Sequence, residues 1–275
     1  MPTLETEPGV MLHWEEAGAG RPVVFVHGWS MSSRAFAWQV ESLAASHRVV
    51  LYDLRGHGRS RCDDRAVAAS HAIEDHARDL STLFTRLGLT GAVLVGWSMG
   101  SQVSLEALPD IQGRLDGLVL LSATPRFVAD EDWPHGLPAV SVRALAARLD
   151  HKPERTLQRF FEGMFVADEI GEPERAEIGR RVLADAPPVS LSAARAGLEA
   201  LLRSDQRQRL RDVRLPVLLL HGERDPICLP AASAFAQDHI PGARRRVLPG
   251  AGHAPHLSRP SLVNELLADF LADLP

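Results

Sequence analysis

Residues 92–100, Ala92-Val93-Leu94-Val95-Gly96-Trp97-Ser98-Met99-Gly100, run an apolar segment directly into a Gly-x-Ser-x-Gly pentapeptide. That is the form of a nucleophile elbow. The chain leaves a buried strand and enters a helix through a turn so sharp that the serine is strained, and flanking glycines avoid clashes there. Ser98 is therefore the candidate nucleophile, with its hydroxyl exposed at the strand's end. Average glycine and serine usage produces such a pentapeptide by chance in about one chain in ten of this length, so the surrounding sequence has to decide.

On both sides of the elbow the chain alternates between two patterns. Residues 23–26 and 49–52 are short β-branched runs, ended by His27-Gly28 and by Asp53 with the glycine-rich Arg55-Gly56-His57-Gly58. Residues 117–121 and 216–220 repeat the pattern, and 245–248 is a weaker sixth candidate. Residues 34–45, 72–87, 99–108, 231–239 and 261–271 carry apolar side chains at helical spacing. Strands alternating with helices predict an α/β fold, a mainly parallel sheet with helices on both faces. Residues 10–16, apolar at alternate positions, predict an antiparallel edge strand. From 125 to 208 the strand signal vanishes and Pro134, Pro138, Pro153, Pro173, Pro187 and Pro188 punctuate helical sequence. The expected organisation is a core of residues 1–124 and 209–275 with a helical lid, 125–208, over the carboxyl ends of the strands, where open α/β sheets bind ligands.

Composition narrows the function. In 275 residues, 45% are hydrophobic and 24% charged, the profile of a globular domain. A net charge of −5 gives no global basic field, so nucleic acid is not an expected partner. The first ten residues lack a basic region and an apolar stretch of signal-peptide length, and no apolar run of about 18 residues occurs. The expectation is a cytoplasmic protein without membrane association. Cys62 and Cys228 fit no metal spacing and are too few for a disulfide framework, so reduced thiols are expected.

A serine nucleophile needs a base to take its proton and an acid to orient that base, in the chain order serine, acid, histidine. The segment His221-Gly222-Glu223-Arg224-Asp225-Pro226 follows the strand at 216–220 and offers Glu223 and Asp225 as the acid. An aspartate there is ordinarily a turn residue or helix cap. His253 lies in Gly250-Ala251-Gly252-His253-Ala254-Pro255, between the last strand and the last helix. His256 imitates a metal pair with it, but no third ligand follows, so no metal is expected. The backbone N–H groups of Met99, after the nucleophile, and of Trp29, after an early strand, are the expected oxyanion donors. A tryptophan merely packed under the lid is the alternative for Trp29.

His27-Gly28-Trp29, Asp53-Leu54-Arg55-Gly56-His57-Gly58-Arg59-Ser60, Gly96-Trp97-Ser98-Met99-Gly100, Gly222-Glu223-Arg224-Asp225 and Gly252-His253 together resemble the landmarks of the α/β-hydrolase superfamily. Within it the chain is most similar to the pimeloyl-[acyl-carrier protein] methyl ester esterases of biotin synthesis. The likeness rests on the Gly-Trp-Ser elbow, Thr124-Pro125-Arg126-Phe127, Asp132-Trp133-Pro134, residues 155–160 and His253-Ala254-Pro255-His256 with Ser258 and Pro260. Lids vary between families while triads do not, so the lid pieces discriminate best.

The resemblance implies a cofactor-free serine esterase with Ser98, Asp225 and His253 as catalytic residues; its Gly-x-x-Asp spacing favours Asp225 over Glu223. It implies Trp29, Ser98, Met99, Phe160, Phe161, Glu162, Gly163, Met164 and His253 as substrate-binding residues. The implied substrate is the methyl ester of a pimeloyl chain on acyl-carrier protein, and the expected state is a monomer. Leu157, Phe160, Phe161 and Met164 form an apolar stripe suited to line an acyl tunnel, with Arg155 and Arg159 one turn apart on another face. Between 143 and 159, Arg143, Arg148, Lys152, Arg155 and Arg159 face only Asp150 and Glu154, and Arg155 with Arg159 is the expected docking pair for an acidic carrier. A solvated helix face is the alternative.

Two departures stand out. Ser101 replaces the glycine common after the elbow and is expected to be tolerated in a helix, with crowding of the turn as the alternative. Glu172, Glu174 and Glu177 dilute the charge around Arg175, Arg180 and Arg181, leaving a second carrier-contacting pair unassigned. The competing functions are a carboxylesterase, lactonase or perhydrolase acting on free small-molecule esters, and a non-catalytic hydrolase-fold binding module.

Overall fold

In the computed structural model, which describes residues 2–63, 71–183 and 187–275, the apolar runs become strands buried on both faces. Strands β1 (Thr3–Glu7), β2 (Val10–Ala17), β3 (Pro22–Val26), β4 (Arg48–Tyr52), β5 (Arg61–Cys62), β6 (Ala92–Trp97), β7 (Leu115–Leu121), β8 (Val217–Gly222) and β9 (Arg244–Leu248) form one sheet. Its order is β1-β2-β4-β3-β6-β7-β8-β9, with β5 beside β2. From β4 to β9 every pairing is parallel, whereas β2 runs antiparallel to β1, β4 and β5. Residues 10–16 are thus a strand but not the edge. Thr3–Glu7 covers it, and its largely solvent-facing side chains hid it from a hydrophobicity pattern.

Successive strand residues point to opposite faces, which divides the core in two. Val24, Val26 and Leu94 pack with α2 (Ile73–Arg86) and α3 (Met99–Ile111), while Val23, Phe25, Val93 and Val95 pack with Phe36 and the C-terminal residues Leu267 and Phe270. On that second face lie α1 (Ala37–Leu43) and, in chain order, the last two helices. The chain visits β4 on one side of β3 and then crosses to β6 on the other, so the order reverses between β3 and β6. Such a switch point opens a crevice at the strands' carboxyl ends. Here those ends carry Gly28-Trp29 and Ser98.

Between β7 and β8 the chain builds a helical insertion of α4 (Ala139–His151), α5 (Pro153–Glu162), α6 (Glu172–Leu183) and α7 (Leu191–Arg203). Pro153 opens α5 at its first turn, where a missing N–H costs nothing. Before α4, only the isolated bridges Val128–Leu137 and Asp130–Trp133 interrupt the irregular chain. Trp133 pins this stretch: it is buried, its indole N–H donates to Arg126 O at 2.9 Å, and it meets the Phe235 ring edge-on at 4.9 Å. Phe235 belongs to α8 (Pro230–His239), which precedes α9 (Pro255–Ser258) and α10 (Pro260–Ala272).

The elbow is tight because α3 starts against β3. Ser98 has φ 55° and ψ −118°, a region that costs a non-glycine residue about 1–3 kcal/mol. A Cβ on Gly100 would fall inside contact with the Val26 carbonyl oxygen, and one on Gly96 would strike Ser104 Oγ and Gly100 O. Ser101 is accommodated in the helix, as expected, without crowding the turn; its hydroxyl donates to Gly96 O at 2.8 Å and ties the elbow to its own strand. Gly100→Ala forces backbone apart at a site with no slack and is expected to destabilise by about 1–3 kcal/mol, read as a lower melting temperature.

Four histidines are buried in the core beneath the insertion. His27 accepts the Leu54 N–H on Nε2 at 2.9 Å, so its proton is on Nδ1, donated to Gly28 O. The ring centroids of His57 lie 5.4 Å from His27 and 6.4 Å from His76, and those of His71 and His76 are 5.8 Å apart. Burial, more than any neighbouring charge, pushes all four below the ordinary imidazole value, His57 to about 3 and His71 to about 4. Below about pH 6.5 the unfolded chain therefore binds protons that the folded chain refuses. Stability contributed by these neutral imidazoles is full above that pH and falls as the pH drops, for His57 and His71 by about 1.4 kcal/mol per unit on the way toward pH 4. The urea midpoint is expected to be lower at pH 5 than at pH 7.5; equal midpoints would refute this account.

Candidate active site

Three loops at the strands' carboxyl ends build the site. The turn between β6 and α3 presents Ser98, which is half-buried. The loop after β8 presents Asp225, and the loop between β9 and α9 presents His253, both buried. His253 Nδ1 lies 2.8 Å from Asp225 Oδ2. Since the carboxylate can only accept, His253 donates from Nδ1, which leaves Nε2 as the basic nitrogen. The other carboxylate oxygen, Oδ1, accepts the backbone N–H groups of Ile227 at 2.8 Å and Cys228 at 2.9 Å. Burial opposes ionisation of Asp225, but the His253 imidazole and the donors His221 and His253 outweigh it and hold the carboxyl well below the usual range. The competing acid, Glu223, is exposed and accepts the Gly250 N–H at 2.8 Å, a turn contact away from His253.

His253 is gripped from both sides of its backbone. Its N–H donates to Met164 O at 2.7 Å, in the chain just after α5, and its carbonyl accepts the Trp97 indole N–H at 3.0 Å. Trp97 is fully buried, with its ring 5.7 Å from that of His253 and 4.5 Å from that of His256. His256 is enclosed, and burial, reinforced by His253, pushes it down to about 3, so it is a neutral packing residue. Among the described residues no group of three or more His, Cys, Asp or Glu could hold a metal. No local pattern marks Met164 as a support for His253. Trp97 was visible as part of the elbow, but its partner lies 156 residues away.

Neither the Trp29 nor the Met99 N–H donates a hydrogen bond among the described residues. Met99 opens α3, where the first N–H groups lack intrahelical partners and carry the positive end of the helix dipole. A Cβ on Gly28 would sit 3.2 Å from Ser98 Cβ, so the Gly28-Trp29 turn closes directly over the serine. The Trp29 side chain turns the other way, into the insertion: its indole N–H donates to Ala194 O at 2.7 Å and its ring meets Phe160 edge-on at 4.7 Å. Packing under the insertion and a free backbone N–H coexist.

A cavity of about 840 Å³ opens between α4, α5 and the loop after β8. Phe127, Leu137, Val142, Leu145, Phe160 and Ile227 supply its apolar wall, and Arg148, His151, Lys152, Arg155 and Arg159 supply its rim. Its lining contains no carboxylate. Trp29, Ser98, Met99 and His253 do not line it; it ends at Phe160, Gly163, Pro226 and Ile227, which adjoin them. The expected apolar stripe on α5 is divided. Phe160 faces this cavity, Leu157 and Phe161 line a second one of about 300 Å³ with Met31 and Glu154, and Met164 is packed in the core. Glu162 is exposed and accepts from Gln158 at 3.0 Å. Arg155 and Arg159 share the large cavity with Phe160 rather than occupying a separate face, because the helix turns only 100° per residue and a wide cavity spans both positions.

Those cations are uncompensated. Asp150 is taken by Arg195 at 2.9 Å and Glu154 faces the other cavity, and among the described residues Arg148, Lys152, Arg155 and Arg159 form no ion pair. The arginines of α6 differ: Arg180 pairs with Glu177, Arg181 pairs with Glu41 and lies 4.5 Å from the Trp38 ring, and Arg175 lies over Phe165. Of the three, Arg181 alone ties the insertion to the core, through α1.

Known proteins agree with this architecture. Residues 21–260 match the family model of the alpha/beta hydrolase fold. The pimeloyl-[acyl-carrier protein] methyl ester esterase of Nitrosomonas europaea is 35% identical over 250 residues, covering 90% of this chain and 95% of that one. Its counterpart in Xylella fastidiosa is 33% identical, covering 96% and 100%. A solved esterase from Exiguobacterium antarcticum superposes with a TM-score of 0.90 at 26% identity, covering 98% and 99%. No helix among the described residues is long and apolar enough to cross a membrane. With a shared fold, an elbow at the switch point and full-length homologues, the chain belongs to the α/β-hydrolase family as an esterase homologous to the pimeloyl-[acyl-carrier protein] methyl ester esterases.

Proposed function

We propose that the protein hydrolyses the methyl ester of a pimeloyl chain carried on acyl-carrier protein, through an acyl-enzyme on Ser98. The observation that carries the carrier half of this reading is the cationic rim around Arg155 and Arg159, which no carboxylate among the described residues neutralises. An acidic carrier protein supplies the missing charge, and the apolar wall behind the rim suits an acyl arm threaded toward the serine. The homology to esterases of that name supports the same substrate. Residues 125–208 serve as the lid that presents both surfaces.

In the reaction, His253 takes the Ser98 proton on Nε2 as Oγ attacks the ester carbonyl. The free N–H groups of Trp29 and Met99 hold the oxyanion; each such donor lowers the barrier by about 3 kcal/mol. Methanol leaves with the proton from His253, and water, deprotonated by the same imidazole, releases the acid. Asp225 keeps the proton on Nδ1 and stabilises the imidazolium that forms in each half-reaction. The site needs no cofactor for this chemistry.

Ser98→Ala is expected to abolish turnover of a short p-nitrophenyl ester, a loss of about 10⁴-fold or more, while the melting temperature holds or rises. Retained turnover would remove Ser98 from the mechanism. Reversing Arg155 and Arg159 to Glu is expected to raise KM for a carrier-linked methyl ester about tenfold and leave the p-nitrophenyl ester within about twofold. Equal effects on both would favour a free small-molecule ester as substrate.

A further inference from the structure

The acid of the site is flanked by two imidazoles, and only one belongs to the reaction described above. His221, the penultimate residue of β8, is fully buried. Its Nε2 lies 2.8 Å from Cys228 O and 3.3 Å from Asp225 Oδ2, the oxygen that also receives His253 Nδ1. Both neighbours of Nε2 are acceptors, so Nε2 carries the proton. Nδ1 is buried with no hydrogen-bond partner, so a second proton there would be enclosed without an acceptor. The groups facing this pair are Asp225 and Cys228 from the loop after β8 and His253 from the loop before α9.

We propose that His221 is a positioning residue for Asp225: a neutral imidazole whose Nε2–H, bonded to Cys228 O and 3.3 Å from Asp225 Oδ2, fixes the carboxylate's orientation and draws off part of the charge that Asp225 directs at His253. The inference rests on Asp225 and His253 acting as the triad proposed above. Its chemistry is a balance. An acid with too little charge fails to stabilise the imidazolium, and one with too much holds His253 protonated at neutral pH, where a base is needed. Two backbone N–H groups on Oδ1, the His253 N–H on Oδ2 and the His221 Nε2–H directed at Cys228 O but 3.3 Å from the same Oδ2 set that balance. The same N–H, by bonding Cys228 O, ties the acid loop back onto its strand.

The test compares pH profiles of kcat/KM on a short p-nitrophenyl ester for the native chain, His221→Leu and His221→Gln, each checked for folding by thermal melting. His221→Leu is expected to lower kcat about tenfold with KM within about twofold, and to move the acid limb upward by about half a pH unit. His221→Gln, which restores an N–H at that place without a titrating ring, is expected to return the limb and most of kcat. A folded Leu variant with the native limb and kcat overturns the proposal, as does a Gln variant indistinguishable from Leu. Should the Leu variant not fold, ¹⁵N NMR of the native protein decides, with the His221 signals assigned by their loss in His221→Gln. A proton on Nε2 at neutral pH supports the proposal, and a proton on Nδ1 with bare Nε2 overturns it. Ser98→Ala, run alongside, separates the failures: activity retained there removes the triad itself, whereas an inactive Ser98→Ala with an unmoved His221→Leu removes only the role of His221.

Discussion

Everything at the site depends on how closely the first turn of α3 approaches the end of β3. The Val26 and His27 carbonyls leave no volume for a side chain on Gly100, and the Ser104 hydroxyl leaves none on Gly96. At that distance the chain can join strand to helix only by placing Ser98 at φ 55°. The cost of a few kcal/mol is set against the burial of β3, β6 and β7, whose apolar residues from Val93 to Val95 and Leu118 to Leu121 are almost wholly enclosed. One contact thereby delivers three things to one point: an exposed hydroxyl, the unpaired N–H of Met99, and the Gly28-Trp29 turn.

Around that point the protein separates its charges by environment. Asp225 is buried but fully satisfied by N–H donors, which is the condition under which an enclosed carboxylate remains ionised. The cations of α4 and α5 stand at the surface with no acid paired to them among the described residues, in a chain of net charge −5. The two regions are joined, since the chain leaves α5, which carries Arg155 and Arg159, through Gly163 to Met164, and Met164 O holds the His253 N–H.

The strands were legible because parallel strands covered on both sides read as unbroken apolar runs, and their boundaries agree with the runs to within a few residues. The edge was not legible: Thr3–Glu7 buries only Leu4, and nothing in so polar a segment distinguishes a strand from a tail until β2 lies beside it. The helical insertion was legible as an absence of strand pattern punctuated by proline. The lining of its cavity was not, because α5 is amphipathic in more than one direction: Phe160 and Phe161, adjacent in sequence, face different cavities.

By itself the sequence determined the fold class, the elbow and the order of Ser98, Asp225 and His253, because each is written in local patterns of apolar runs, glycines and short motifs. Only the tertiary structure decided that Trp97 and Met164 clamp the His253 backbone, that His221 shares the Asp225 carboxylate, and that Asp150 turns to Arg195 and leaves Arg155 and Arg159 unpaired. Those are contacts between residues 4 to 156 positions apart. Their geometry exists only once β6, β8 and the insertion are packed, since a hydrogen bond requires its partners within about 3 Å.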